Sequence, residues 1–468
     1  MSTTHDQAMH YIYQQVLQRL LDHMNQAQRA SVQLLVQRML VMGGGADNIG
    51  AFRVLVLQGL DSRSTHLLAC LRAAQLIIAL RHAGTFRLQV LVARLPGLDG
   101  EALALHERCF SALFLQDDPR VELLRADGGQ LGPFGARSAC SPSQTREAGQ
   151  AWLLFGHLTG ALPAALLGAR GYVELAASLA QALGDEDGAN LLVSAIAPMR
   201  LHHLMAWGRR CLRHTEHVTQ SAGTDSVVSW AEGMRQLGDA LSDPLCPPSA
   251  QPPAEGGRVV RVVSVEALLP HPEQAAPLER MLGRQLTDTC QPQGPAGLFD
   301  PLPLAHLHGL RAQAVEQRSY REGAQAYFTG LGEHAVAWPQ GPVLRREAQE
   351  RLGDAYGVGE KQLQCLLFKP FDAHGRNLEA FVSSCHPNMR VALPYLHRAL
   401  QGRSCPGPVS QWLTETSGLT LVQLRAVYAG TVRPEARRLY RLLAQRDLWL
   451  RRVADLACCQ GRGQRSAV

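Results

Sequence analysis

FRVLVLQG (Phe52–Gly59), LDSRST (Leu60–Thr65), HLLACLRAAQLIIALRHAG (His66–Gly84), FRLQVLVARLPG (Phe86–Gly97), DGEALALHERCFSALFLQ (Asp99–Gln116) and RVELLRADGG (Arg120–Gly129) follow one another along the chain. The first is a short apolar run rich in β-branched residues that stops at a glycine, and it predicts a strand. After a polar turn, leucines and isoleucines recur at helical spacing, and a basic last turn and a glycine end the helix. Phe86–Gly97 predicts a second strand, Asp99–Gln116 a second helix and Arg120–Gly129 a third strand. Strands this apolar, alternating with helices, predict an α/β fold with a Rossmann-like parallel sheet covered on both faces. Ligands bind such sheets beyond the carboxyl ends of the strands. The loop Gly59–Thr65 is therefore the first place to seek function.

Outward from this block, residues 5–42 carry Met9, Ile12, Val16, Leu20, Leu21 and Met24 at helical spacing, then an apolar run from Val32 to Met42. Two helices are expected within 1–48, closed by the glycine-rich break Gly43–Asn48. The α/β domain is expected over 49–238. Gly132–Thr145 reads as a loop, and Arg146–His217 as almost wholly helical, a helical insertion in that domain. Residues 239–257 are dense in proline and read as a linker. Val259–Leu269 in segment 258–305 reads as a strand that rejoins the sheet. The rest, 306–468, is expected to be a mainly helical C-terminal domain.

The chain has 468 residues, 46% hydrophobic and 18% charged, with a net charge of +6. That describes a globular protein with room for two or three cores. Lysine occurs only at Lys361 and Lys369, so arginine carries nearly all the positive charge. This bias reflects either the base composition of the gene or a surface for phosphate groups, which guanidinium binds bidentately. Eleven cysteines without a CxxC pair, Cys70 and Cys109 among them inside expected core helices, fit buried thiols better than disulfides. No secretory signal pattern and no membrane-length apolar run is present, so a cytoplasmic chain without membrane contact is expected.

The run VLQGLDSRSTHLLACLRAAQLIIALRHAGTFRLQVLVARLPGLDGEA resembles the nucleotide-binding core of class I aminoacyl-tRNA synthetases of the tyrosine/tryptophan type. There a strand ends in glycine, a short loop leads to a His-x-Gly-His helix start, and an ALRxxQ-like helix, a strand and a leucine-rich LDG turn follow. The resemblance covers about Phe52–Leu131 and extends weakly to Arg213. It makes Gly59 the strand-end glycine and His66 the first signature histidine. The signature glycine, however, is Leu68 and the second histidine is Ala69. The GGxDQR-like segment keeps only Arg200, behind Pro198 and Met199, and no KMSKS-like loop is found. The resemblance thus implies a synthetase scaffold that has lost ATP activation and needs no cofactor.

One use of such a scaffold is cyclodipeptide synthesis, which takes ready-charged aminoacyl-tRNA. It needs a nucleophile at the mouth of the sheet, and Ser62 and Ser64 stand there. Ser62, Ser64 and His66 are the catalytic candidates, and Gly59, Asp61, Arg94 and Arg200 the substrate-binding ones. Asp61, Ser62, Ser64 and Thr65 are equally ordinary turn and N-cap residues, and no tyrosine–glutamate pair of the cyclodipeptide type is seen. tRNA is the expected partner, met by Arg209 and Arg210 near Trp207 and by Arg437, Arg438, Arg441 and Arg451 near Tyr440 and Trp449. The alternative is a binding or regulatory protein that keeps only the fold. No metal is expected: His202, His203, His214 and His217 read as a solvated helix face. Cys385 and His386 are sequence neighbours, which does not make them a nucleophile pair. Substrate and oligomeric state do not follow from the sequence.

Overall fold

A computed structural model describes residues 2–59, 62–94, 100–127, 130–135, 142–158, 175–183, 188–195, 198–199, 201–202, 205–206, 227, 230–231, 235, 260–269, 276–283, 301–330 and 341–431. Its centre is a six-stranded sheet in the order β4-β3-β2-β1-β5-β6. The strands are β1 (Arg53–Leu57), β2 (Arg87–Arg94), β3 (Val121–Asp127), β4 (Gln130–Pro133), β5 (Leu191–Ser194) and β6 (Arg261–Ser264). All neighbours run parallel except β4, which returns antiparallel along β3. The expected parallel α/β sheet is present, and a helical C-terminal region follows it.

Alternation along each strand separates two cores. Val54 and Val56 of β1, Leu88, Val90 and Val92 of β2, and Leu191 and Val193 of β5 face one side. There they meet the helices α1 (Ser2–Asp22), α2 (Gln26–Met42), α3 (Ser62–Arg81) and α4 (Gly100–Ala112). Asn25 starts α2 with a capping box: its Oδ1 accepts from Gln28 N–H at 2.9 Å, and its own N–H donates to Gln28 Oε1 at 2.7 Å. Leu55, Leu91, Leu124 and Leu192 face the other side and pack with α5 (Pro142–Leu158). Helices between Pro301 and Ala429 share that second core with the sheet.

Three local expectations need correction. Leu191–Ser194, read as helix, is a central strand paired with β1 and β6. Its three buried apolar residues, Leu191–Val193, are too few to show a periodicity that tells strand from helix. Gly132 and Pro133, read as the start of a loop, belong to the edge strand Gln130–Pro133, whose register joins Asp127 to Gln130. Its glycine and proline hide it, because both are tolerated at an edge. Ser62–Thr65, read as turn, already form the first turn of α3. Short hydroxyl side chains suit that turn, whose N–H groups have no partner inside the helix.

The C-terminal helices meet α5 at close range. Trp152 is fully buried, and its ring stacks on Tyr356 with centroids 5.3 Å apart. A Cβ at Gly149 would overlap the carbonyl oxygen of Tyr356. Gly149→Ala is therefore expected to destabilise the fold by about 1–3 kcal/mol through overpacking. Gly353→Ala meets nothing within 4 Å. It should instead gain about 1 kcal/mol of helix propensity. Thermal denaturation of the two variants checks the opposite signs.

Candidate functional site at the carboxyl ends of the central strands

Beside β1 the strand order reverses. The chain leaves β1 through α3 to reach β2 on one side, and returns later as β5 on the other. A crevice at the carboxyl ends of β1 and β5 is the binding place that this topology creates. Gln58 continues the ladder of β1, its N–H donating to Leu91 O at 2.9 Å. Its side chain is buried; the amide nitrogen donates to Gly59 O at 3.0 Å, while Oε1 has no hydrogen-bond partner. Gly59 is buried next to it.

The first turn of α3 rises from this floor. Ser62 is partly exposed, and its Oγ donates a hydrogen bond to Glu279 Oε1. Glu279 belongs to α6 (Ala276–Met281), a short helix that packs against α3. Arg63 Nη1 pairs with Glu266 Oε1 at 3.0 Å. Glu266 opens the 3-10 turn that follows β6. Ser194 and Ser264 are register partners at the carboxyl ends of β5 and β6. Polar side chains from three adjacent strands and two helices therefore gather at one end of the sheet.

The expected site residues distribute unevenly over this geometry. Ser62 stands at the mouth. Ser64 lies at the limit of burial, and His66 is 1% exposed. Arg94 ends β2, in register with Asp127. Asp61, Arg200, Arg209, Arg210, Arg437, Arg438, Arg441 and Arg451 lie outside the described residues, as do His203, His214 and His217. Gln58, Arg63, Glu266 and Glu279 were not among the candidates. Glu279 is 217 positions from Ser62, and no spacing rule links them.

Among the described residues no group of three or more His, Cys, Asp or Glu could hold a metal ion. His202 is exposed. Burial pushes the Cys385 thiol up, and burial together with the charge of Lys361 pushes the neighbouring His386 down. Both shifts oppose a thiolate–imidazolium pair. Among the described residues, Cys70, Cys109, Cys365, Cys385 and Cys405 are free thiols. No described helix is long and apolar enough to cross a membrane. Compared with known proteins, the chain matches no family model, no curated protein and no solved structure.

Proposed function

We propose that this chain is an acyl-transfer enzyme on a synthetase-like scaffold, in which Ser62 receives the acyl group of an aminoacyl-tRNA or a related donor. The observation that carries this reading is the Ser62–Glu279 hydrogen bond at the carboxyl end of β1. In the proposed step, Glu279 takes the hydroxyl proton as Ser62 Oγ attacks the carbonyl carbon of the ester. The positive end of the α3 dipole favours the developing oxyanion. The ester C–O bond then breaks, and the proton passes from Glu279 to the leaving ribose oxygen. An amine acceptor releases the acyl group from Ser62 in a second attack.

Leu68 and Ala69 support the claim that ATP activation is absent. Both are fully buried in the apolar core on the α1–α4 side of the sheet. They offer neither room for a nucleotide base nor a donor for its phosphates. In this reading the chain is cytoplasmic and binds tRNA through its arginine-rich segments. That binding should weaken steeply as salt rises.

The burial of His66 favours a second reading, a protein that binds without catalysis. Its imidazole is the strongest general base of the three catalytic candidates at neutral pH, and it is withdrawn from solvent. One experiment separates the two. The purified chain is mixed with charged tRNA and its intact mass is recorded. Acyl transfer gives a mass increase on Ser62, lost in Ser62→Ala and reduced about 10²–10⁴-fold in Glu279→Gln. Acylation that survives Ser62→Ala would remove Ser62 from the mechanism. tRNA binding without any acylation would establish the binding protein instead.

A further inference from the structure

The C-terminal helices carry a face whose charge acyl transfer at Ser62 does not use. From Ala380 to Thr414 the sequence has no Asp or Glu, while Arg390, Arg398 and Arg403 fall within that stretch. The 3-10 turn Pro387–Ala392 leads directly into the helix Leu393–Leu400. Leu396, Ala399 and Leu400 are buried in the second core, so this helix docks by one side. Helical spacing puts Pro394, Tyr395 and Arg398 on the other side. With Arg390 and Val391 of the preceding turn, all five are exposed, Val391 at 86% and Tyr395 at 44%.

The end of the helix gathers further charge. Gly402 at φ 78° turns the chain back, so that Arg403 N–H donates to Arg398 O at 2.9 Å and both side chains leave a single turn. Arg425 Nε caps the helix by donating to Ala399 O at 3.0 Å, which gives that arginine a structural task. Arg390, Arg398 and Arg403 have none: they are exposed, and their guanidinium groups make no hydrogen bond or ion pair among the described residues. A strained turn borders the same helix. Ala373 at φ 50° and His374 at φ 59° are consecutive non-glycine residues in the left-handed conformation. The exposed ring of His374 stands edge-on to Tyr428, with centroids 5.7 Å apart, and Tyr428 Oη shares a hydrogen bond of 2.9 Å with His397 Nδ1. At Gly375 a Cβ would lie 3.0 Å from His397 Cε1, so the turn packs directly on this helix. Strain in sparsely populated backbone regions concentrates where a side chain must be held in place.

We propose that this face binds single-stranded RNA, with Arg390, Arg398 and Arg403 on backbone phosphates, Tyr395 under an unstacked base, and His374 at one border. Guanidinium binds phosphate bidentately, and any base can stack on a tyrosine ring. A chain of negative charges also relieves the repulsion between arginines that no carboxylate answers. Leu396 and Leu400 are turned into the core, and exposed Val391 and Tyr395 offer too little apolar surface to enter a membrane. The helix packs in the core on the opposite side of the sheet from α3 and Leu278, the neighbour of Glu279. The proposal therefore goes beyond the acyl-transfer reading and needs neither Ser62 nor a charged 3′ end. Only the choice of RNA among nucleic acids rests on that reading.

Fluorescence anisotropy of a labelled oligouridine with the full-length protein, between about 50 and 200 mM salt, tests it. The triple variant Arg390→Gln, Arg398→Gln, Arg403→Gln should bind about 10²-fold more weakly at the lower salt, with a slope of log affinity against log salt reduced by about 2. Tyr395→Ala should weaken binding about ten-fold and leave the slope unchanged. His374→Gly should raise the melting temperature by releasing strain, and still weaken binding. The replaced side chains are exposed, so the variants are expected to fold, and circular dichroism checks that. Wild-type affinity and slope in the triple variant would overturn the proposal, as would no RNA binding by the wild type at low salt. Binding to anionic phospholipid vesicles in place of RNA would overturn it too. An oligodeoxythymidine held as tightly would overturn the choice of RNA. Acylation of Ser62 is read separately by mass, so the failure of either idea is seen without the other.

Discussion

Asp118→Ala is expected to lower the stability of the fold by about 3–5 kcal/mol, because it strands a buried guanidinium. Arg72 is completely buried in the middle of α3. Its Nη1 donates to Asp118 Oδ2 and to Gln75 Oε1, both at 2.7 Å; its Nε donates to Leu113 O at 3.1 Å and its Nη2 to Phe114 O at 2.8 Å. The two carbonyls belong to the turn that ends α4, where Phe114 has a φ of 51°. Gln75 passes the network on to Phe86 O at 3.0 Å, next to the start of β2. Arg120 grips Asp118 from the other side, with Nε to Oδ1 at 2.9 Å and Nη2 to Oδ2 at 2.8 Å, and lies 4.2 Å from the ring centre of Tyr13 in α1. One carboxylate therefore ties together three helices and the entries to two strands. Chemical denaturation should show the loss as a lower midpoint, and a double replacement by apolar residues of similar volume should recover part of it. A loss below 1 kcal/mol would mean that the network is not what holds this corner.

The same carboxylate sets a pH window. Burial alone would raise its pKa, but the hydrogen bonds from Arg120 and the charge of Arg72 prevail and hold it at about 2, against 3.8 for the free group. Its proton affinity is lower in the folded state, so its contribution is complete above about pH 4 and is lost as pH falls through 2. The difference corresponds to roughly 2–3 kcal/mol. Acid titration of wild type and Asp118→Asn should converge at the bottom of that window.

The sequence made the first half of the sheet legible because β1, α3, β2, α4 and β3 are long enough to show their periods. Leu191–Ser194 offered only four residues, although that strand defines the crevice beside β1. Arg72 was not singled out, since three of its four partners come from turns more than 40 positions away. Ser62 could be singled out from its place after β1, but the carboxylate it meets could not. Sequence neighbours such as Cys385 and His386 proved less informative than residues brought together by topology.

Leu68→Gly is expected to be the most damaging single change in α3, and its outcome bears directly on function. The substitution would place a glycine where the signature that this stretch resembles has one. Leu68 is fully buried in the core on the α1–α4 side. Truncating a buried leucine costs about 2–5 kcal/mol, and a glycine inside a helix costs about 1 more. Most of a domain's margin of about 5–15 kcal/mol would be at risk. Leu68→Ala, which leaves a smaller cavity and keeps the helix, is the milder companion that remains measurable if the glycine variant does not fold. ATP–pyrophosphate exchange should be absent in the wild type and in both variants, because the emptied volume opens into packed side chains instead of the crevice. Exchange activity in the wild type would contradict the loss of activation outright. Exchange gained by Leu68→Gly with stability intact would show that this leucine plugs a nucleotide pocket.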